Sequence, residues 1–306
     1  MNQVVNLVTC TTILALLVFA GYALWDSGQV IHEAEAANHQ IWRPSGDDSV
    51  SFHELQAINP EVFAWLRVYG TGIDYPVTQA GDNAKYVNTN AQGEYSLSGS
   101  IFLDYRNDQH FGDFNSVVYG HHMEKSAMFG DLDRFAERDF FDAHRFGDLY
   151  FDGARHGVEF FAFIHTDAYD KDIFSAPVGQ VDRGALLAAI DGKATHRHAA
   201  DISIEDRLVL LTTCAASSTN GRDVLVGVIA EETFADPFAQ PSLAVNRGSG
   251  VDALTGLWPG VRSWWPLGLG LIVAGLVVLL VRIRRPSHTV RAGLAGRRGL
   301  DRGLGK

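Results

Sequence analysis

Cysteine is almost missing from this chain: its 306 residues hold two, Cys10 and Cys214. A fold stapled by disulfides is therefore excluded. Charge is missing from residues 1–25, which contain no Asp, Glu, Lys or Arg. Basic residues are scarce from 26 to 265, with 17 Lys and Arg against 35 Asp and Glu, a net charge of −18. Nucleic acid is excluded as a partner of so acidic a segment, because binding needs a basic face to displace counterions. Internal repeats are absent. A metal motif is absent too: His196-Arg197-His198 has no third ligand beside it, and a solvated loop explains it better.

What is present begins with two apolar runs. Leu7–Leu24 is almost wholly apolar. Leu267–Val281 is apolar and dotted with Gly, with Trp258, Trp264 and Trp265 ahead of it and Arg282, Arg284 and Arg285 behind. Trp belongs at headgroup level and Arg on the cytoplasmic face. Residues 266–306 carry eight basic residues and one acid, a net charge of +7. This pattern predicts two spans, both termini cytoplasmic, and residues 26–265 outside, with membrane lipid as one partner. Ala34-Glu35-Ala36 resembles a signal-peptide cleavage site, but the first run ends about ten residues too early and has no basic residue ahead of it. An uncleaved anchor fits better. The expected divisions are an anchor over 1–25, a membrane-proximal helix and polar linker over 26–50, a folded domain over 51–235, a stalk over 236–265, a second span over 266–283 and a basic tail over 284–306.

Within the outer segment, Phe52–Leu66 has helical periodicity interrupted at Asn59-Pro60. Eight short apolar runs bounded by Gly, Asn and Asp then predict strands: Trp65–Tyr69, Asp74–Val77, Ser100–Leu103, Ser116–Tyr119, Asp148–Phe151, Gly157–His165, Arg207–Thr213 and Asp223–Ala230. Helical insertions are expected over Ala127–Phe135 and Val181–Ile190. Such a pattern is mainly β and points to a barrel or sandwich.

The topology leaves Cys214 without a partner in its compartment, so it is either a buried leftover or a functional thiol. It ends the apolar strand Arg207-Leu208-Val209-Leu210-Leu211-Thr212-Thr213-Cys214 and faces a loop of small residues, where a substrate could reach it. Arg222 opens the next strand; if the two strands are neighbours, a permanent cation stands by the thiol, favouring thiolate and able to hold charge on a carbonyl oxygen. The alternative is an ion pair with Asp223. Among twelve histidines, His121 and His122 follow a strand closed by Gly120, where sites are usually built. A His there takes a proton from the Cys and returns it to a leaving amine.

The segments Ile73-Asp74-Tyr75-Pro76-Val77, Asp82-Asn83-Ala84-Lys85-Tyr86, Gly99-Ser100-Ile101-Phe102-Leu103-Asp104-Tyr105-Arg106-Asn107, Tyr119-Gly120-His121-His122-Met123, Met128-Phe129-Gly130-Asp131-Leu132 and Leu211-Thr212-Thr213-Cys214 occur in that order. Over roughly residues 50–232 the chain thereby resembles the class B sortases of Gram-positive bacteria. The resemblance implies an eight-stranded sortase β-barrel with an N-terminal helical extension and a helix before the seventh strand. It implies catalysis by Cys214, His121 and Arg222, with His121 preferred over His122. It further implies that Asn83, Val87, Thr212 and Thr213 contact substrate, and that the Asp167–Phe174 segment, with Ile173 and Phe174, faces it. No metal or organic cofactor is implied.

Two features depart from the resemblance. Ala215 stands where many relatives carry an acid after the Cys, and a second span is more typical of pilus-building relatives. The expected activity is cleavage of an Asn/Leu-Pro-x-Thr sorting signal through a Cys thioester, followed by transfer to an amine. The partners implied are sorting-signal-bearing surface proteins or pilins, with a peptidoglycan precursor or a pilin Lys supplying the amine. A hydrolytic cysteine protease and a catalytically silent membrane receptor are the readings from other classes.

Overall fold

The computed structural model of the chain describes residues 2–44, 50–174, 182–214 and 220–239. The stalk beyond 239, the second apolar run, the basic tail, Ala215 and Val181 lie outside these residues. Helix α1 runs unbroken over Asn2–Ala34. Its Gln3–Ala34 stretch is long and apolar enough to cross a membrane and is not buried within the protein. No break falls at residue 25, so the membrane-proximal helix is a continuation of the apolar one as far as Ala34.

Among the described residues nine strands form one sheet: β1 (Val62–Val68), β2 (Asp74–Thr78), β3 (Ile101–Leu103), β4 (Asn115–Tyr119), β5 (Phe146–Phe151), β6 (Ala154–Asp167), β7 (Ala194–Arg197), β8 (Arg207–Cys214) and β9 (Gly221–Ala230). Their order is β5-β1-β2-β3-β4-β8-β9-β6-β7, and a further β5–β6 pairing closes eight of them into a barrel, with β7 added on β6. The eight closed strands are those expected from the apolar runs. Strand β7 was not expected: the stretch read as a solvated His-Arg-His loop pairs with β6, and the His198 ring stacks on Phe141 with centroids 4.3 Å apart.

The barrel interior is filled from every closed strand, including Leu66, Val77, Leu103, Val118, Phe151, Phe160, Leu211 and Leu225. An outer layer packs Leu208, Leu210, Val224 and Val226 against α4 (Lys171–Phe174) and α5 (Arg183–Lys193) through Ile173, Leu186 and Ile190. Strand β8 is thus buried on both faces, which is why it reads as a continuous apolar run rather than an alternating one. Strand β6 carries a bulge between Phe160 and Ala162. The extra residue places Phe161 and Ala162 together on the outer layer while Phe160 and Phe163 stay inside. A third cluster seats α2 (Val50–Ile58) on Trp65 and Tyr150 through Phe52 and Leu55.

The insertion after β4 differs from the expected helix over 127–135. Lys125, Ser126 and Met128 have positive φ, and helical structure starts only with a 3-10 turn at Leu132–Ala136, followed by α3 (Arg138–Ala143). Tertiary hydrogen bonds set this path. The buried Asp131 carboxylate accepts from the Gly72 amide at 2.8 Å and the Ser126 hydroxyl at 2.7 Å. The Tyr75 hydroxyl accepts from the Met128 amide at 2.9 Å and donates to the Ala34 carbonyl at 2.8 Å, so it links the end of α1 to this loop. Burial pushes the Tyr75 phenol up to about 12, despite backbone hydrogen bonds that act the other way.

Candidate active site

Strand register assembles the site. Strand β4 runs parallel to β8 with Tyr119 beside Thr212, and the Gly120 amide donates to the Thr212 carbonyl at 3.2 Å. Two residues past Tyr119 is His121; two residues past Thr212 is Cys214. Strand β9 returns antiparallel and sets Arg222 opposite Cys214. With adjacent strands about 4.8 Å apart, the three backbone positions occupy one end of three neighbouring strands, within about 10 Å.

Gly120 is where this end is tightest. A Cβ there would lie 2.6 Å from Ile101 Cδ1 and 2.7 Å from Phe129 Cδ2, so only Gly lets β4 end in this position. The chain then turns, and the His121 carbonyl accepts from the Phe129 amide at 2.9 Å. The His121 ring is fixed by Nε2–H donating to the Val87 carbonyl at 2.8 Å. A carbonyl only accepts, so this geometry assigns the proton of a neutral ring to Nε2 and leaves Nδ1 with the lone pair. Among the described residues Nδ1 has no hydrogen-bond partner. His122 is situated differently: its Nε2 lies 3.2 Å from Asp133 Oδ2, and its backbone bridges to Met128.

Arg222 is half-buried and donates to the Gly221 carbonyl at 3.0 Å. Among the described residues it has no ion-pair partner. Asp223, the neighbour that would have neutralised it, is held instead by His165 at 2.9 Å. The charge of Arg222 reaches Tyr119, whose phenol is raised far above its ordinary value. Burial is the main cause, followed by the charge of Asp104 and the hydrogen bond to it, with Arg106 and Arg222 opposing. Tyr119 donates to Asp104 Oδ2 at 3.1 Å, and Asp104 is fully buried. Burial would raise the Asp104 carboxyl. Hydrogen bonds from Arg106 and Asn83 outweigh it and hold the group below the usual carboxylate range.

The expected substrate-contacting residues divide. Thr212 and Thr213 are 1% and 2% exposed, at the same strand end as Cys214, and neither hydroxyl has a hydrogen-bond partner among the described residues. Val87 reaches the site through the carbonyl that holds His121. Asn83 is committed at both ends of its amide, donating to Asp104 at 2.9 Å and accepting from the Tyr105 amide at 2.9 Å. Ile173 is buried in the outer layer, where its carbonyl accepts from Asn115 at 3.3 Å, and Phe174 packs beside it. Asn115 opens β4, about 13 Å along the strand from Tyr119, so these two residues are not brought to the Cys214 end. The Asp104–Tyr119 pair was not singled out as part of a site from sequence, although both residues lie in segments that carry the resemblance. Among the described residues no group of three or more His, Cys, Asp or Glu is placed to hold a metal ion.

No family model matches the chain. Sortase B of Listeria monocytogenes is 30% identical over 204 residues, which span 66% of this chain and 82% of that protein. Among solved structures, sortase B from the type II pilus of Streptococcus pneumoniae is 41% identical and superposes with a TM-score of 0.52, covering 61% of this chain and all of that one. A Streptococcus pyogenes class B sortase involved in pilus biogenesis is 40% identical with a TM-score of 0.55, covering 59% and 98%. The shared eight-stranded barrel and these identities agree: the chain belongs to the class B sortases, a family of cysteine transpeptidases.

Proposed function

We propose that the chain is a membrane-anchored transpeptidase using Cys214 as nucleophile, His121 as proton carrier and Arg222 as charge stabiliser. The observation that carries this reading is the β4–β8–β9 register, in which the end of β4 that leads to His121 lies beside the strand end of Cys214 and Arg222. The Cys214 thiolate attacks the carbonyl carbon of Thr in an Asn/Leu-Pro-x-Thr sorting signal. Arg222, free of any carboxylate among the described residues, offsets the charge that grows on the carbonyl oxygen. The C–N bond breaks, and protonated His121 gives its proton to the departing amine. An acceptor amine then attacks the thioester, His121 takes the proton back, and Cys214 leaves as thiolate. No step calls for a metal or organic cofactor.

The amine comes from a peptidoglycan precursor, which attaches surface proteins to the wall. A pilin Lys is the second reading, supported by the 41% and 40% identity to two sortases associated with pili. The apolar helix α1 supports anchoring. A second anchor at 266–283 and cytoplasmic termini complete the proposed topology. Incubating the enzyme with Leu-Pro-x-Thr-Gly and Asn-Pro-x-Thr peptides and candidate amines, with mass analysis of products, identifies both halves of the reaction. Amide products are expected, and acid products alone would mean a protease. Cys214→Ala abolishes cleavage; residual turnover would sink the assignment, and binding without turnover in the native chain would favour a receptor.

A further inference from the structure

A cleft of about 530 Å³ lies between α1 and the loops beside His121. One wall is Phe19, Tyr22 and Val30 of α1; the other is Leu97, His122 and Met123. Phe19 belongs to the uncharged stretch of α1 and is 70% exposed. It lies six residues before Trp25, about 9 Å along the helix. Tyr22 and Trp25 pair with ring centroids 6.0 Å apart, the aromatic pattern that marks a bilayer border. A wall that faces Phe19 therefore stands at the depth of that border. Leu97 is 57% exposed and Tyr95 is more exposed still, although both are large and apolar. Asp26 and Glu124 also line the cleft.

We infer that the 95–97 and 122–124 loops form a second membrane-contacting surface, seated on lipid at the outer border of the bilayer. The inference rests on the anchoring proposed above. The occupant is lipid because the opposite wall of the cleft is itself the bilayer-spanning segment, and the medium around Phe19 is continuous with the space below Leu97 and Met123. The two carboxylates in the lining favour headgroups without net negative charge. The surface is tied to the chemistry: the segment carrying Tyr95 and Leu97 also supplies the Val87 carbonyl that fixes His121, and Thr89 and Tyr95 bridge within it.

The test uses the full-length chain in phosphatidylcholine nanodiscs, on a Cys10→Ser, Cys214→Ala background. Single cysteines replace Phe19, Leu97 or Glu205 and carry an environment-sensitive fluorophore; Glu205 is exposed and lies beyond the far end of β8. Lipids bearing a nitroxide near the headgroup serve as quencher. Leu97 is exposed, so its replacement leaves the fold intact. The expected result is quenching at 19 and 97 several-fold above that at 205. Quenching at 19 with position 97 matching 205 overturns this surface and leaves the anchor standing. Quenching at neither overturns the anchor, and this surface with it.

Discussion

Replacing Gly120 by Ala tests whether the end of β4 controls the position of His121. The new methyl would meet Ile101 Cδ1 at 2.6 Å and Phe129 Cδ2 at 2.7 Å. Carbon atoms rest comfortably at about 3.5–4.0 Å, so something must move by roughly 1 Å. Neither neighbour yields easily, since both are buried in the barrel interior. The backbone of 120–121 moves instead, stretching the 3.2 Å bond from Gly120 to the Thr212 carbonyl and carrying the imidazole away from Val87. Overpacking of this kind costs about 1–3 kcal/mol of stability. A displacement of about 1 Å in a catalytic group costs about 10²-fold in rate, or ~2.7 kcal/mol of transition-state stabilisation. Urea denaturation gives the first quantity and kcat/KM for sorting-peptide cleavage the second. A variant that loses stability yet keeps full kcat/KM would refute the link from Gly120 to His121. An unchanged urea midpoint would refute the steric argument itself.

Further outcomes follow from the same structure. Arg222→Ala should lower kcat/KM by about 10²–10³-fold and leave the urea midpoint unchanged, because Arg222 has no ion-pair partner to abandon among the described residues; a large fall in stability would contradict that. Leu210→Ala should cost about 2–5 kcal/mol in the same melt, since Leu210 is fully buried in the outer layer of the barrel. Burial lowers His39 to about 4 from an ordinary value of 6.5. A folded value below the unfolded one means stability is full above about 6.5 and declines as pH falls towards 4, by on the order of 3 kcal/mol. His39 packs near Tyr75 with ring centroids 5.8 Å apart, so amide exchange around residues 32–44 should quicken over that window, and His39→Leu should flatten the response.

The closed strands were legible because each is an apolar run bounded by turn formers, and their burial on one or both faces leaves that mark. Strand β7 left none. It is four residues long, half exposed, and exists because β6 presents an edge to it. The Ala127–Phe135 periodicity suggested a helix. Gly72, which holds the buried Asp131, and the Tyr75 hydroxyl both act from outside that segment and bent it into a loop with positive φ instead. At the candidate site, the strand order around Arg222 was readable from the chain. Freedom of Arg222 from Asp223 was not, because it depends on His165, 58 positions away in the sequence. The separate surroundings of His121 and His122 were equally hidden, since they depend on Val87 and Asp133. Ile173 looked like a loop residue facing substrate, but an apolar side chain beside Leu186 and Ile190 is worth more in the outer layer.

The unbroken course of α1 has a consequence for where the enzyme can work. The helix ends at Ala34, which is buried in the barrel core and bonded to Tyr75. With Trp25 at the bilayer border, as proposed, the nine residues beyond it set Ala34 about 14 Å above that border, while the 95–97 and 122–124 loops reach back down beside the helix. A floppy tether would let a catalytic domain sweep a hemisphere; a helical mast lets it swivel and little else. The volume searched then shrinks from a dome to a thin collar at constant altitude. Within that collar the effective concentration of enzyme is high, and outside it close to nil. Acceptor amines are thus selected by height above the membrane before any pocket inspects their chemistry.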